Sequence, residues 1–150
     1  MKKEAYTKQI VLYLENNKNR AAYDLALEFL KEHPNEMLSH FLIAEFYLSF
    51  NKYNDAALEA RKAFNLAKTQ DDLLPCAILA AAAYYQIGEY KKGYQFLSEL
   101  EKWWKKEEIE KLLFVFSVAM KDENQAAKHL ESLYSVNQKA AESLLMKFIQ

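Results

Sequence analysis

The side chains that could do chemistry are few in this 150-residue chain, and they form no familiar catalytic motif. Of the three histidines, His33 lies at a predicted helix end and His40 and His129 lie in different repeats, and the single cysteine, Cys76, lies in an apolar run. No pair has the H-x-x-x-H or C-x-x-C spacing that is common among metal sites. The two glycines stand alone, so no phosphate-binding loop is present in the sequence. We therefore expect no enzyme, no metal and no cofactor.

A tryptophan pair is the other unusual feature. Trp103-Trp104 stands between Lys102 and Lys105-Lys106, near a predicted helix boundary. Exposed tryptophan flanked by charge is typical of binding hot spots, so Trp103 and Trp104 are a possible anchor for a partner. Alternatively, one ring packs under the following helix and the other is half exposed. The cluster is too short for the amphipathic face of a membrane-surface helix.

Composition indicates an ordinary globular chain. Hydrophobic residues make up 51% and charged residues 27%, which excludes a disordered protein, and the net charge of −1 indicates no nucleic-acid-binding face. The unpaired Cys76 fits a reducing compartment. The first residues develop no apolar signal-peptide core, and the longest apolar stretch elsewhere is too short to span a bilayer. We therefore predict a soluble, cytoplasmic protein with no membrane span.

The scarcity of glycine and proline, together with the spacing of apolar residues, predicts an all-α fold. Glycine and proline occur only twice each, which favours long helices with short connections over sheets. Apolar residues recur at helical spacing and predict nine helices. Their predicted boundaries are marked by residues with cap or turn chemistry: His33-Pro34, Asn51-Lys52, Asp71 or Asp72, Gly88 and Asn137. Pro75 is expected in the first turn of the fifth helix.

A weak internal repeat organises these helices into pairs. Small residues recur at Ala22, Ala56 and Gly93, which are 34 and 37 residues apart (56 − 22 and 93 − 56). The three extra residues are expected around positions 69–72. Periods of this length are the signature of stacked supersecondary units. The predicted repeats are residues 3–34, 37–70, 73–106 and 107–137, followed by a capping helix over 138–150, all in a single domain.

The pattern at the turns resembles the tetratricopeptide repeat family. The second unit carries Ile43-Ala44-x-x-Tyr47, then Asn51-x-Tyr53-x-x-Ala56, and the third carries Ala80-Ala81-x-x-Tyr84, Gly88-x-Tyr90 and Gly93. No unit has the family's tryptophan, and the first helix of the fourth unit lacks the aromatic residue. The resemblance implies an α-solenoid of about four helix–turn–helix pairs, whose first helices line a concave groove.

The groove positions that this resemblance implies are mostly apolar. They are Val11, Leu14, Phe41, Glu45, Leu48, Ile78, Ala82 and Tyr85, with Val115 and Val118 added by the fourth unit. Glu45 would repel a C-terminal carboxylate, whereas an apolar trough suits an amphipathic helix or an extended apolar peptide. The alternative is that the same chain or a second copy fills the groove.

Two functions of different classes follow. The first is a protein-interaction scaffold, adaptor or chaperone-like module that binds an apolar or amphipathic segment of another protein in its groove. The second is a structural self-assembly module, such as a homodimer. It is suggested by the seventh helix, whose apolar residues over 109–120 are spread around more than one face.

Overall fold

The fold is all-α, as predicted. The computed structural model describes residues 1–104 and 106–149, so Lys105 of the lysine-flanked tryptophan pair and the last residue of the predicted capping helix, Gln150, lie outside the described residues. All regular structure within those ranges is helical. The helices are α1 (Lys3–Glu15), α2 (Asn19–Glu32), α3 (Met37–Ser49), α4 (Tyr53–Leu66), α5 (Gln70–Ile87), α6 (Tyr90–Trp103), α7 (Glu107–Ala119), α8 (Glu123–Val136) and α9 (Gln138–Ile149).

The helices belong to two compact units, Met1–Ala83 and Tyr84–Gln150, whose boundary falls within α5. In the first unit α1 packs on α2, α2 on α3 and α3 on α4. In the second unit α6 packs on α7, α7 on α8 and α8 on α9, with a smaller contact between α7 and α9. Within each unit, helices adjacent in sequence are therefore neighbours in space, which is the packing of an α-solenoid.

The same turn closes all four helix pairs. One residue takes a left-handed conformation between the paired helices, with φ of 58° at Asn17, 62° at Asn51, 85° at Gly88 and 59° at Lys121. The next amide then bonds a carbonyl five residues earlier: Lys18 to Tyr13, Lys52 to Tyr47, Glu89 to Tyr84 and Asp122 to Ser117, at 2.8–3.0 Å. This is the Schellman motif, which satisfies carbonyls left open at a helix end. The turns at Asn51 and Gly88 confirm the predicted ones.

Small side chains allow the helices of the first unit to approach closely. Its core includes the fully buried Ala22 and Ala26 of α2. In the same core, the rings of Tyr6 of α1 and Phe29 of α2 stack on each other with their centroids 5.1 Å apart. Ala56 and Ala60 of α4 are likewise fully buried. A methyl group at the crossing lets neighbouring aromatic rings fill the space beside it, as interior packing density requires.

Gly93 plays the corresponding role in the second unit. A Cβ atom added to it would lie 2.5 Å from Cε1 and 2.7 Å from Cζ of Phe116 on α7. The ring of Phe116 is buried and in turn packs edge-on against Tyr85 and Tyr90. Glycine at this position therefore makes room for an aromatic ring from the following helix.

The C-terminal helix α9 covers the end of the second unit. Ala141 and Leu144 of α9 are buried with Phe114 and Leu133, and Leu130 packs against this cluster. Phe148 meets Phe114 edge-on at 5.3 Å but stays about half exposed. Leu130 and Leu133 of α8 thus lie against α9. The predicted cap Asn137 is confirmed, because its side chain accepts a hydrogen bond from the N–H of Ala140 at 3.1 Å.

The start of α5 differs from its prediction. Thr69, and not Asp71 or Asp72, is the capping residue, because its Oγ1 accepts the N–H of Asp72 at 3.1 Å. Pro75 consequently lies in the second turn of α5 and not in the first. At 18 residues, α5 is longer than α3 at 13, so the extra residues of the third repeat lie at its start. No helix in the described ranges is both long and apolar enough to cross a bilayer.

Candidate functional site

The most concentrated polar chemistry in the described residues is a buried cluster in the second unit. It consists of Glu101 near the end of α6, Glu110 in the first turn of α7 and His129 in the middle of α8. We refer to these three residues as the Glu–Glu–His cluster. Nδ1 of His129 is 3.2 Å from Oε2 of Glu101 and 3.2 Å from Oε1 of Glu110. The side chains of Glu110 and His129 are fully buried, and that of Glu101 is 15% exposed.

A hydrogen-bond chain holds the imidazole from its other side. Nε2 of His129 is 2.7 Å from the hydroxyl oxygen of Tyr94, and that hydroxyl donates to Oε1 of Gln125 at 2.9 Å. Because the Tyr94 hydroxyl donates its proton to Gln125, its oxygen accepts a hydrogen bond from Nε2–H of His129. The chain thus fixes the ring orientation and directs Nδ1 toward the two carboxyl groups.

The pKa values of the two carboxyl groups in the cluster are shifted in opposite directions. Burial raises the pKa of Glu101, and its hydrogen bond to Glu110 and the negative charge there raise it further. Burial also acts to raise the pKa of Glu110, but favourable contacts with His129, Glu101 and Ser132 outweigh it and lower the pKa to about 2. Glu110 is therefore the carboxylate of the pair, and Glu101 is the carboxyl that takes up a proton more readily.

One oxygen of the cluster lacks a protein partner. Oε2 of Glu110 is buried and has no hydrogen-bond partner among residues 1–104 and 106–149. A buried carboxylate oxygen without a donor costs free energy, and a proton shared with Glu101, a buried water or a bound cation would each offset that cost.

A simpler version of the cluster occurs in the first unit. His40 on α3 and Glu59 on α4 are both nearly buried, and Nδ1 of His40 is 2.6 Å from Oε2 of Glu59. The partners are 19 residues apart in sequence, as are Glu110 and His129. Counted from the left-handed turn residues Asn51 and Lys121, both pairs occupy the same two positions, with histidine and glutamate exchanged. The second carboxylate is what distinguishes the Glu–Glu–His cluster.

Sequence reasoning did not identify this cluster. His40 and His129 belong to different repeats, and no short metal-binding spacing connects them. The available signal was the 19-residue spacing between histidine and glutamate across a helix pair, read in the register of the turns. A third residue, Glu101, comes from the preceding helix, and no local spacing reveals it.

The predicted groove residues occupy equivalent positions on the first helix of each pair. Leu14, Leu48, Tyr85 and Val118 each come three residues before the left-handed turn residue, and Val11, Glu45, Ala82 and Val115 each come six residues before it. Phe41 and Ile78 occupy a further equivalent position, ten residues before the turn. All ten of these side chains are exposed or half-buried, and none belongs to the buried core. Whether they bind a partner stays a prediction.

The two tryptophans have different environments. Trp103, the last residue of α6, is 85% exposed, whereas Trp104 is half-buried. The ammonium nitrogen of Lys106 lies 5.5 Å from the centroid of the Trp104 ring, within the range of a cation–π contact. The exposed ring of Trp103 is the one that is accessible to a partner.

Cys76 is fully buried in α5, and burial raises the pKa of its thiol to about 11. It is therefore held as a neutral, unreactive thiol.

No protein-family model matches the chain, and no curated protein shows significant sequence similarity to it. The resemblance to the tetratricopeptide repeat family consequently stays a prediction.

Proposed function

We propose that the chain is a tetratricopeptide-like protein-interaction module that binds an amphipathic helix of another protein on the exposed face of its first helices. The observation that carries this proposal is a repeated one. The position three residues before each turn holds Leu14, Leu48, Tyr85 or Val118, and the side chains of Leu14, Tyr85 and Val118 stay 41%, 40% and 37% exposed.

Isolated exposed apolar residues are normal on a protein surface and need no explanation. An apolar side chain that is exposed or half-buried at the same position of every helix pair is different, because helices of one array otherwise turn their apolar side chains inward. In the first unit, Val11 of α1 and the half-buried Phe41 and Ile78 extend this apolar surface. We call the residues Val11, Leu14, Phe41, Glu45, Leu48, Ile78 and Ala82 the first-helix face.

Glu45 gives the first-helix face a charge preference. It is exposed on α3, and Leu48 follows it by about one helical turn on the same face. A carboxylate at this position favours a partner helix that carries lysine or arginine next to its apolar anchors, and disfavours an acidic one. The proposed ligand is therefore a basic amphipathic helix.

Binding of a panel of amphipathic peptides, measured by fluorescence anisotropy, tests the proposal. Leu14→Glu and Leu48→Glu place charge in the first-helix face and should weaken binding by at least about tenfold, as loss of a central apolar anchor does. Leu58→Glu is the matched control. Leu58 is 55% exposed on α4, a second helix, so its substitution should leave binding unchanged.

A charge reversal tests the preference separately. Glu45→Lys should reduce binding of lysine-bearing peptides and improve binding of glutamate-bearing ones by a few-fold, the size expected for an exposed ion pair. If Leu48→Glu binds every peptide as the unaltered chain does, the first-helix face is not the binding surface.

Self-assembly is the alternative function. Most of the large apolar residues of α7 that suggested it are enclosed within the second unit. Ile109, Leu113, Phe114 and Phe116 are buried, and α7 contacts α6, α8 and α9, whereas Val118 is 37% exposed. The first-helix face is then a candidate apolar surface for a second copy. Sedimentation over a concentration range distinguishes the two functions, since a strict monomer at high concentration removes the homodimer.

We further propose that the protein acts in the cytoplasm. The support is the single Cys76, which is buried as a neutral thiol and has no second cysteine in the chain to pair with. This usage is typical of proteins from a reducing compartment.

A further inference from the structure

We propose that the Glu–Glu–His cluster is a binding site for one divalent transition-metal ion of the zinc type, held by Glu101, Glu110 and Nδ1 of His129. The site lies in the second unit and is independent of the first-helix face. It would connect the end of α6, the start of α7 and the middle of α8.

The distances within the cluster fit a shared metal ion. One ligand atom from each of the three residues lies within 4.8 Å of the other two, and the two contacts of Nδ1 are both 3.2 Å. Ligands at about 2.1 Å from a Zn²⁺ ion are about 3.0 Å apart at right angles and about 3.4 Å apart at the tetrahedral angle. The contacts of Nδ1 fall between these two values, so an ion can be accommodated with small side-chain movements.

The hydrogen bonds of the cluster leave a position beside Nδ1 of His129 that needs either a proton or a metal ion. Because Nε2–H is donated to Tyr94, Nδ1 carries either a proton or a lone pair. A bare lone pair facing two carboxyl groups at 3.2 Å would be repelled, so Nδ1 needs a proton or a metal ion between itself and the carboxyl groups. The buried Oε2 of Glu110, which has no hydrogen-bond partner among the described residues, has the same requirement.

The surroundings of His129 have the arrangement of a metal-ligating histidine. Such residues donate their second ring N–H to a neighbouring oxygen, which fixes the tautomer and the ring orientation. Here the Tyr94 oxygen accepts that bond at 2.7 Å, and Gln125 holds the tyrosine in turn. Tyr94 is therefore a positioning residue for the site and not a ligand.

Charge balance allows an exchange of two protons for one ion. With a proton on Nδ1 and another shared by the carboxyl groups, one imidazolium and one carboxylate leave the buried cluster neutral. With a divalent ion, a neutral imidazole and two carboxylates again sum to zero. Both states are neutral overall, so exchange of the protons for the ion adds no net charge to the interior.

The ligand set selects the class of ion. One imidazole nitrogen with two carboxylate oxygens suits Zn²⁺ and its neighbours such as Co²⁺ and Mn²⁺. Ca²⁺ takes six to eight oxygen ligands and Mg²⁺ prefers a nearly complete oxygen octahedron, and neither is matched by this set.

Calorimetric titration of the full chain with ZnCl₂ at neutral pH tests the site. We expect one Zn²⁺ per chain and, from the same titration in two buffers of different ionisation enthalpy, net release of protons. Glu101→Gln keeps the size and hydrogen-bonding capacity of the side chain but removes a ligand, and should weaken affinity by at least about 100-fold. Tyr94→Phe removes a second-layer hydrogen bond and should weaken affinity by about 10- to 100-fold.

Glu59→Gln is the matched control, because the His40–Glu59 pair has the same spacing without a second carboxylate. It should bind Zn²⁺ as the unaltered chain does. X-ray absorption of the zinc-loaded chain should show a nitrogen and oxygen shell with one imidazole and no sulfur. Equal behaviour of the unaltered chain and Glu101→Gln, whether both bind or neither does, overturns the proposal. So does a sulfur ligand.

Discussion

Replacing Gly93 by alanine should destabilise the second unit, although alanine is the better helix former. The added Cβ would lie 2.5 Å from Cε1 of Phe116, whereas carbon atoms in ordinary contact are about 3.5–4.0 Å apart, so the ring would have to retreat by about 1 Å or more. That ring is 1% exposed and packs edge-on against Tyr85 and Tyr90, with centroids at 5.7 and 6.3 Å. A shift of the ring would therefore disturb its contacts with both tyrosines.

The expected magnitude is a difference of two effects. Overpacking a filled core costs about 1–3 kcal/mol, and the exchange of glycine for alanine within a helix returns about 0.5–1 kcal/mol. Taking the middle of each range, the net loss for Gly93→Ala is about 1 kcal/mol in the free energy of unfolding. Gln95→Ala, at an exposed position of the same helix, should change stability by only a few tenths of a kcal/mol.

Urea unfolding followed by tryptophan fluorescence is the appropriate assay. Both tryptophans of the chain, Trp103 and Trp104, lie in the second unit, so the signal reports on that unit. Phe116→Leu shortens the obstructing ring, and the double variant should lose at least about 1 kcal/mol less than the sum of the single variants. A Gly93→Ala chain as stable as the original, or additive losses in the double variant, would refute the reasoning.

Three further predictions concern the chain end, one turn and the buried acid. Ending the chain at Asn137 removes Ala141 and Leu144 from the core, so it should lower the melting temperature and promote association, which light scattering measures. A truncated chain that stays monomeric with an unchanged melting temperature would mean that α9 is not a cap. Lys121→Gly relieves the left-handed strain at φ 59° and should raise the free energy of unfolding by about 0.5–1 kcal/mol in urea titration, with no gain contradicting the assignment of strain. In metal-free buffer, Glu101→Gln should become more stable relative to the original chain as the pH rises above 4.5. The pKa of Glu101 is higher in the folded chain than in the unfolded chain, so the neutral carboxyl stabilises the fold. That stabilisation is lost as the carboxyl ionises. Melting curves from acid to neutral pH measure this, and a constant difference would count against the raised pKa.

Local residue chemistry was enough to predict the helices and their turns. The Asn51 and Gly88 turns depend on residues that tolerate positive φ, and the α9 cap depends on one side chain, Asn137, so each follows from a few neighbouring residues. The turn at Lys121 was not predicted from its residue type. Lysine has no preference for the left-handed region, so only the repeat register places a turn there. Thr69 likewise displaced Asp71 and Asp72 as the cap of α5, because several residues at that end can accept the same amide.

The all-α class and the pairing of helices follow from the amino-acid sequence, because helical periodicity and turn chemistry act over a few residues. The exposed positions before each turn were implied by the family resemblance. The meeting of Glu101, Glu110 and His129 is visible only once the helices are packed. Their side chains come from α6, α7 and α8, and the orientation of the His129 ring depends on Tyr94, which lies 35 residues earlier in the sequence. The packing of three helices sets this arrangement. Burial then strengthens the electrostatic interactions among the three side chains and shifts the pKa values of the carboxyl groups.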